Sequence, residues 1–381
     1  MQRWRQRAKG SGGFEVRLPA FEDLSKEQDL IYNLDLDGNY LVTGPPGTGK
    51  SVMALYRAQV LSFDDREPAV LMYNNVLQQY TEQAAGQIEA GGFVTTYHKW
   101  LWRFWRERYR GSIPTLASSS YDPDWDEIWK QFAAKPVDQA VLRDVLVDEG
   151  QDLPLDFFRL SRFLAKNITV FADENQQLWD QNTTIDEIVK AVKPKEQLEL
   201  KRNYRNTAEI AAVAAKYYSG SPTGIPDPPT RHGEQPTLRH YASDEELADF
   251  IARYVKVRTN LTIGIACASK RLQMRMMRLL GERKLPVPVQ TYVSGDKQHN
   301  RLDFDVPAVT IVNFKSLKGL EFDTLFVPEL QRVTADPTSA ATRMLFYVVM
   351  SRARDELHLS YSGHGGVPAI LNDVKGLVRE L

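Results

Sequence analysis

The stretch Leu41-Val-Thr-Gly-Pro-Pro-Gly-Thr-Gly-Lys-Ser51 decides the fold of this chain. It is the end of an apolar segment followed by the pattern G-x-x-x-x-G-K-S, which is typical of loops that bind the phosphates of ATP or GTP. Residues 40–43 have the composition of a strand, and residues 52–60 have that of a helix. The order strand, loop, helix favours a phosphate-binding loop over a glycine-rich turn without a ligand.

The residues of this loop have distinct roles in holding a phosphate chain. The glycines allow a tight turn whose N–H groups point at the anion, and Lys50 supplies a positive charge for the β- and γ-phosphates. Ser51 offers a hydroxyl to Mg²⁺ and begins a helix whose N-terminus faces the same anion. The nucleotide-binding residues predicted in the loop are Gly44, Pro45, Pro46, Gly47, Thr48, Gly49, Lys50 and Ser51.

A second apolar segment ends in acidic residues, in D-V-L-V-D-E-G-Q-D over residues 144–152. At the tip of a strand, Asp148 is suited to hold Mg²⁺, with Ser51 as the other metal residue. Glu149 is suited to orient and deprotonate the attacking water. An acidic helix cap is the alternative, but a phosphate-binding loop in the same chain favours the nucleotide site. These residues predict a nucleoside triphosphate, ATP or GTP, bound together with Mg²⁺.

With these motifs the chain resembles the superfamily 1 helicases of the UvrD/Rep/PcrA type. The sequence D-E-G-Q-D after a strand is similar to that family's motif, and further motifs follow in the family's order over about residues 24–359. The resemblance implies an α/β fold of two RecA-like parallel-sheet domains with the ATP site in the cleft between them. It also implies an ATP hydrolase that moves 3′ to 5′ along single-stranded nucleic acid.

The resemblance assigns further residues to the nucleotide. Gln28, in L-S-K-E-Q, matches a glutamine that reads adenine, and Tyr204, in L-K-R-N-Y-R, matches an aromatic residue that stacks on it. Glu321, in K-G-L-E-F, matches the residue that contacts the ribose, and Gly319 of the same motif is assigned to the nucleotide too.

The catalytic residues implied by the resemblance come from both domains. Gln176, in A-D-E-N-Q-Q-L-W, is placed near the γ-phosphate. Arg205 in L-K-R-N-Y-R and Arg352 in Y-V-V-M-S-R-A are placed on the second domain as arginine fingers. Closure of the domains would complete the site. The predicted catalytic set is Lys50, Glu149, Gln176, Arg205 and Arg352.

Other motifs imply contacts with single-stranded nucleic acid. T-Y-H over residues 96–98 resembles the family's T-F-H motif, while Lys315 stands where the family has a histidine. Gln181 occupies the position of a base-stacking aromatic residue of the family, which leaves Trp179 to stack alone. The predicted nucleic-acid contacts are Asn74, Thr96, His98, Trp179 and Lys315.

The alternation of apolar and amphipathic segments predicts the domain organisation. We expect a flexible basic tail over residues 1–13, a first domain over 14–195 and a second domain over 196–381. Strands are predicted at 40–43, 69–73, 145–147 and 168–172, and then at 262–266, 309–312, 324–327 and 356–360. Helices are predicted in the second domain at 243–258, 270–283 and 341–352.

A small helical insertion is expected over about residues 99–143 of the first domain. Its first segment, K-W-L-W-R-F-W-R-E-R-Y-R over 99–110, interleaves aromatic residues with cations. One interpretation is a stacking platform with phosphate-binding side chains. The other is an amphipathic helix that buries its aromatic residues and exposes its arginines. We expect a mixture, in which most tryptophans pack and the cations face a groove.

Composition limits the partners. A formal net charge of −1 over 381 residues gives no global basic field, so a nucleic-acid site must be a local groove. The single cysteine, Cys267, fits a reducing, cytoplasmic location, and its apolar neighbours predict a buried thiol. No apolar run is long enough to span a membrane. We expect a protein that is monomeric alone.

Two function classes remain open at this point. The first is an autonomous translocase or helicase, acting on DNA in preference to RNA. The second is a nucleic-acid-gated ATPase subunit that serves a protein partner, such as a nuclease in repair or anti-phage defence. The large accessory domain of UvrD-type helicases has no counterpart before K-G-L-E, so the chain resembles a minimal member.

Overall fold

The computed structural model describes residues 24–87, 92–173, 183–220, 225–293, 295–296, 298–304 and 306–381. The predicted tail over 1–13 lies outside these ranges. Two parallel sheets organise the described chain, one of six strands and one of seven. Among the described helices, none combines the length and apolar composition that a bilayer-spanning segment needs.

The first sheet has the strand order β3-β2-β4-β5-β1-β6, and every neighbouring pair is parallel. Parallel strands that are covered on both faces are apolar along their length. Strands β1, β4 and β5 are accordingly buried over most of their residues. The strands are β1 (Tyr40–Thr43), β2 (Ala69–Met72), β3 (Phe93–Thr96), β4 (Leu142–Val147), β5 (Ala165–Ala172) and β6 (Glu196–Glu199).

Helices of the first domain begin at polar caps. Ser25, Thr96, Asp124 and Thr184 each accept a hydrogen bond from the third residue of the helix that follows. The helices are α1 (Lys26–Tyr32), α2 (Lys50–Ser62), α3 (Asn75–Gln87), α4 (Tyr97–Tyr109), α5 (Trp125–Ala134), α6 (Leu155–Leu164) and α7 (Ile185–Val192).

The aromatic helix α4 packs mainly into the core of the first domain. Trp100, Phe104 and Trp105 are buried there, and Trp105 Nε1 donates to Gln131 Oε1 at 3.1 Å. Trp102 is only half-buried, and the cations of α4 are largely exposed. Packing is therefore the role of most of the tryptophans, as the mixed interpretation predicted.

The second sheet has the order β13-β7-β12-β11-β8-β10-β9, again entirely parallel. Its strands are β7 (Thr237–Tyr241), β8 (Ile263–Cys267), β9 (Val289–Thr291), β10 (Val309–Asn313), β11 (Phe322–Val327), β12 (Ala353–Ser362) and β13 (Arg379–Glu380). Its helices are α8 (Ala208–Tyr217), α9 (Asp244–Lys256), α10 (Lys270–Gly281) and α11 (Ala340–Met350). Cys267 is buried at the end of β8, as predicted.

The boundary predicted after residue 195 is one strand too early. Strand β6 pairs with β1 from Tyr40↔Glu196 to Thr43↔Glu199 and so belongs to the first sheet. Its sequence E-Q-L-E is exposed at the sheet edge, so it lacks the apolar signature of the inner strands. The chain crosses to the second domain only after Glu199.

Helix α3 of the first domain contacts the second domain directly. Gln79 Nε2 donates to the carbonyl of Asn300 at 3.1 Å, and Gln79 Oε1 accepts from the N–H of Leu302 at 2.9 Å. Val76 is fully buried in the core of the second domain. These contacts hold the two sheets together beside the cleft.

A glycine in the central strand β8 provides a test of this packing. A Cβ atom added at Gly264 would overlap the buried ring of Phe322. We expect Gly264→Ala to cost about 1–3 kcal/mol through overpacking. The melting temperature of the second domain should fall by roughly 2–4 °C for each kcal/mol.

Gly281→Ala at the end of α10 is the matched control, because a Cβ there meets nothing within 4 Å. Its melting temperature should equal or slightly exceed that of the parent. Equal melting temperatures for the two variants would show that β8 and Phe322 are not packed as described.

Candidate active site

The loop that is predicted to bind phosphate connects β1 to α2 and leaves the start of this helix open. Gly49 caps α2 in a left-handed conformation, with φ of 91°, and makes no side-chain cap hydrogen bond. Gly47 is also left-handed, with φ of 85°, and a Cβ there would lie 2.6 Å from Asn203 Oδ1. The N–H groups of the first turn are thus available to an anion.

Gln28 is fixed against the same loop. Its side chain forms a capping box with Ser25, and its Nε2 donates to the carbonyl of Thr48 at 3.3 Å. A Cβ added at Gly49 would lie 2.7 Å from this Nε2 atom. The glutamine therefore lies at the edge of the loop, where the resemblance places a contact with adenine.

Lys50 is buried, and its ammonium group binds the loop itself. Its Nζ donates to the carbonyls of Gly44 at 2.7 Å and Pro45 at 3.1 Å, and it lies 3.6 Å from Asp173 Oδ2. A phosphate entering the loop would replace the carbonyls as the partner of this charge. The lysine is held in place before the nucleotide arrives.

Asp148 follows β4 and is completely buried. Burial and the neighbouring Glu149 carboxylate raise its pKa to about 7, although the Ser51 hydroxyl and Lys50 act to lower it. Its Oδ1 accepts from the N–H of Glu149 at 3.0 Å, and its Oδ2 has no hydrogen-bond partner within the described ranges. A buried carboxylate oxygen beside a serine hydroxyl fits the oxygen ligands that Mg²⁺ prefers.

Glu149 has a left-handed backbone, with φ of 53°, and it lines the cavity between the loop and the second domain. Gln151 Nε2 donates to its Oε2 at 2.6 Å. Burial acts to raise its pKa, but Lys318, Lys50 and Arg352 outweigh burial and lower the pKa to about 2. The carboxylate is therefore ionised at neutral pH.

Lys318 is a site residue that sequence reasoning missed. It comes from the second domain, is buried, and places Nζ 2.7 Å from Asp152 Oδ2 and 3.8 Å from Glu149 Oε2. Burial acts to lower its pKa, but these two carboxylates outweigh burial and raise it. Its position in the K-G-L-E motif was the available signal, and only the fold shows its partners.

Two arginines reach the cleft from the other side. Arg352 lies just after α11 and is 2% exposed, and its Nε and Nη2 atoms have no partner in the described chain. Burial and the adjacent Arg205 lower its pKa to about 10. Arg205 Nε donates to Glu321 Oε2 at 2.8 Å, while its buried Nη1 atom is without a described partner. Both guanidinium groups are charged and retain donors for an anion.

Glu321 has contacts that the ribose assignment did not foresee. Besides Arg205, it accepts from Tyr80 Oη at 3.4 Å and from Arg354 Nη1 at 3.5 Å. Burial acts to raise its pKa, and the arginines outweigh burial and lower it. Its ribose contact stays a prediction, as does the stacking of Tyr204, whose side chain is 41% exposed.

One cavity of about 280 Å³ brings most of the predicted nucleotide residues together. Gly44, Pro45, Thr48 and Asp148 are not among its lining residues, and Gln176 lies outside the described residues. The cavity is lined by Gln28, Pro46, Gly47, Gly49, Lys50, Ser51, Val52, Tyr80, Glu149, Tyr204, Arg205, Gly319, Glu321, Arg352 and Arg354.

The predicted nucleic-acid residues have different surroundings. Asn74 Nδ2 donates to the carbonyl of Lys318 at 3.5 Å, and its Oδ1 caps α3 through the N–H of Val76. Thr96 is 2% exposed, and its hydroxyl caps α4. Lys315 is exposed. Trp179 lies outside the described residues, so its stacking role stays a prediction.

His98 lies in a surface aromatic cluster that we define as Tyr73, His98, Trp102 and Tyr121. The His98 ring centroid lies 5.5 Å from those of Tyr73 and Trp102 and 6.3 Å from that of Tyr121. Tyr73 is 48% and Tyr121 is 73% exposed. Burial lowers the pKa of His98 to about 4, so the ring is neutral. Sequence reasoning missed Tyr73 and Tyr121 as candidates for base stacking, whereas Trp102 belongs to the segment that was considered as a stacking platform.

Comparisons with known proteins give structural similarity only. No protein-family model matches the sequence, and no curated protein matches it. The chain is similar to S. cerevisiae Dbp5 bound to RNA and ADP-BeF3, with a TM-score of 0.51, 13% identity, and coverage of 94% of this chain and 90% of that chain. It is also similar to the C-terminal domain of a possible DNA helicase from Lactobacillus plantarum, with a TM-score of 0.36, 23% identity, and coverage of 46% of this chain and 98% of that chain.

The likeness to Dbp5 concerns the fold. Two parallel-sheet α/β domains, with six and seven strands, match the RecA-like architecture. The predicted fold class is therefore confirmed.

The contact between Lys318 and Asp152 can be tested by a double-mutant cycle. Lys318→Met leaves buried carboxylates without their cation, and removing one partner of a buried ion pair costs about 3–5 kcal/mol. Asp152→Asn in the same chain removes one of those charges and should restore part of the stability. We expect a coupling energy of about 1–3 kcal/mol from thermal or urea unfolding of the four proteins.

The pair Arg159→Met and Asp156→Asn is the matched control. These residues form an exposed ion pair on α6 at 3.1 Å, so their coupling should be at most about 1 kcal/mol. Additive effects of Lys318→Met and Asp152→Asn would show that the domains do not meet through this contact.

Proposed function

We propose that this chain is an ATP hydrolase that is stimulated by single-stranded nucleic acid and moves along it. The observation that carries the proposal is the shared cavity. The phosphate-binding lysine and the ionised Glu149 face, across one cleft, two arginines that retain unpartnered donors in the described chain. Such an arrangement suits charge that develops on a transferring phosphoryl group.

ATP binding would use the loop and the residues around it. The γ- and β-phosphates would take the place of the Gly44 and Pro45 carbonyls on Lys50, and the N-terminus of α2 would add its N–H groups. Gln28 and Tyr204 line the same cavity and are available to the base. Asp148 and Ser51 would hold Mg²⁺, which supplies positive charge to the phosphate oxygens when bound.

Hydrolysis would proceed by attack of water on the γ-phosphorus, with ADP as the leaving group. Glu149 would orient this water and accept its proton at the carboxylate. Arg352 and Arg205 would donate to the oxygens on which charge accumulates. An arginine finger of this kind is worth about 10³–10⁵ in rate in other phosphate hydrolases.

Hydrolysis would be coupled to nucleic acid through contacts at the interface of the two domains. Asn74, which the resemblance assigns to nucleic acid, touches the backbone of Lys318, and Lys318 contacts the carboxylates beside the water-binding position. A single strand of nucleic acid bound at the aromatic cluster, whose Tyr73 precedes Asn74 in the chain, would thus act on the domain interface next to Glu149. Alternating closure and release would convert hydrolysis into stepping.

The finer assignments of this proposal rest on the resemblance to the UvrD/Rep/PcrA type. They are DNA as the preferred strand, 3′ to 5′ movement, and the roles of Gln176 and Trp179. Unwinding of a tailed duplex by the protein alone separates an autonomous helicase from an ATPase subunit that serves a nuclease.

Steady-state ATPase activity measured side by side with single-stranded DNA, single-stranded RNA and blunt duplex tests the proposal. We expect single strands to stimulate the parent protein strongly. Arg352→Ala should lower the stimulated rate at least about a hundredfold, the effect of removing one transition-state donor. Its affinity for ADP, measured by calorimetry, should be unchanged, because ADP lacks the γ-phosphate.

Two further variants act as controls. Arg352→Lys should restore little activity, because an ammonium group cannot reproduce the planar guanidinium. Glu149→Gln should bind ATP and fail to hydrolyse it. Near-normal turnover in Arg352→Ala, or a parent protein that no nucleic acid stimulates, would refute the proposed function.

A further inference from the structure

Helix α4 has one face that carries only cations. Lys99, Arg103 and Arg106 are spaced four and three residues apart, so they lie on one side of the helix, and Arg110, four residues further on, caps its C-terminal end. All four are exposed. At a rise of 1.5 Å per residue they form a stripe about 17 Å long, which we call the α4 cation stripe.

The α4 cation stripe has few partners among the described residues. None of its four members forms an ion pair with a carboxylate in the part of the chain that the structure describes. Lys99 Nζ donates to Gln78 Oε1 at 3.1 Å, and the Arg103 guanidinium lies 5.2 Å from the centre of the Phe93 ring. Like charges three and four residues apart on a helix repel one another, so an external anion would stabilise the stripe.

The stripe borders a groove of about 650 Å³. The groove is also lined by Trp102 and by the hydroxyl residues Ser112, Thr115 and Ser120, and no carboxylate residue is among its lining residues. Arginine, lysine and hydroxyl groups are the side chains that bind phosphate oxygens in nucleic-acid complexes. The groove therefore suits a chain of phosphates rather than one small anion.

The groove continues into the surface aromatic cluster. Trp102 belongs to both, and its ring lies 5.5 Å from that of His98. Because Trp102 is only half-buried, it presents an aromatic face inside the cationic groove. Cations that follow a backbone, together with an aromatic surface for bases, are typical of single-strand binding.

We propose that the α4 groove binds the phosphate backbone of single-stranded nucleic acid, next to the part held at the aromatic cluster. This rests on the proposed function and adds to it a second contact region on the first domain, away from the cleft. The face of Trp102 favours a single strand over a duplex, whose bases are stacked and paired.

The test compares two variants with matched charge changes. The groove variant has glutamine, which supports helices well, at Lys99, Arg103, Arg106 and Arg110. The control variant has glutamine at four exposed cations that do not line the groove, namely Arg162, Lys166, Lys190 and Lys193. Fluorescence anisotropy measures the affinity of each protein for single-stranded oligonucleotides between 50 and 200 mM salt, and calorimetry with ATP checks folding.

Each phosphate contact contributes about 0.7 to the logarithmic salt slope for a single strand, so losing four contacts should lower the slope by about 3. Between 50 and 200 mM salt, the affinity of the groove variant should therefore fall about 50-fold less than that of the parent. The control variant should retain the slope of the parent. The groove variant should still hydrolyse ATP when saturated with single strand.

Other outcomes overturn the proposal in distinguishable ways. If single strands stimulate the parent and the groove variant retains its salt slope, the groove binds something else, such as an acidic protein. Anisotropy is also measured with a blunt duplex, and if the groove variant loses affinity for this duplex alone, the groove binds a duplex and not a single strand. If no nucleic acid stimulates the parent, the proposed function itself fails.

Discussion

The balance of buried charge in the cleft is the constraint on which the rest of the structure depends. Glu149 and Asp152 are almost fully buried, and buried carboxylates are tolerated only when cations lie beside them. Lys50 comes from the first domain, whereas Lys318 and Arg352 come from the second. Neither domain can therefore form this balance of charge alone, so the proposed nucleotide chemistry depends on the relative position of the two sheets.

The same balance of charge would favour the binding of a phosphate by Arg352 and Arg205. Arg352 is buried beside another guanidinium, and its remaining donors have no described partner. A γ-phosphate would relieve this repulsion, and ADP would not. In the proposed function the site would therefore distinguish the two nucleotides through electrostatics, and the difference would act on the interface where Asn74 and Lys318 meet.

Sequence patterns were sufficient to predict the structure wherever it is determined by residues that are close together in the sequence. The phosphate-binding loop, the acidic end of β4 and the inner strands of both sheets follow from glycine positions and apolar runs. Strand β6 was assigned to the wrong domain because an exposed edge strand has no apolar signature. The role of Lys318 and the lack of a carboxylate partner for the α4 cation stripe among the described residues depend on residues distant in sequence, so only the fold reveals them.

The central claim is that a γ-phosphate draws the two domains together. It is tested most directly by single-molecule energy transfer between dyes on Lys130→Cys and Arg253→Cys, two exposed positions on different domains. Cys267 is fully buried and does not compete for the dyes. The account predicts a shorter distance with a non-hydrolysable ATP analogue and single strand than with ADP. An identical distance distribution in both states would contradict it.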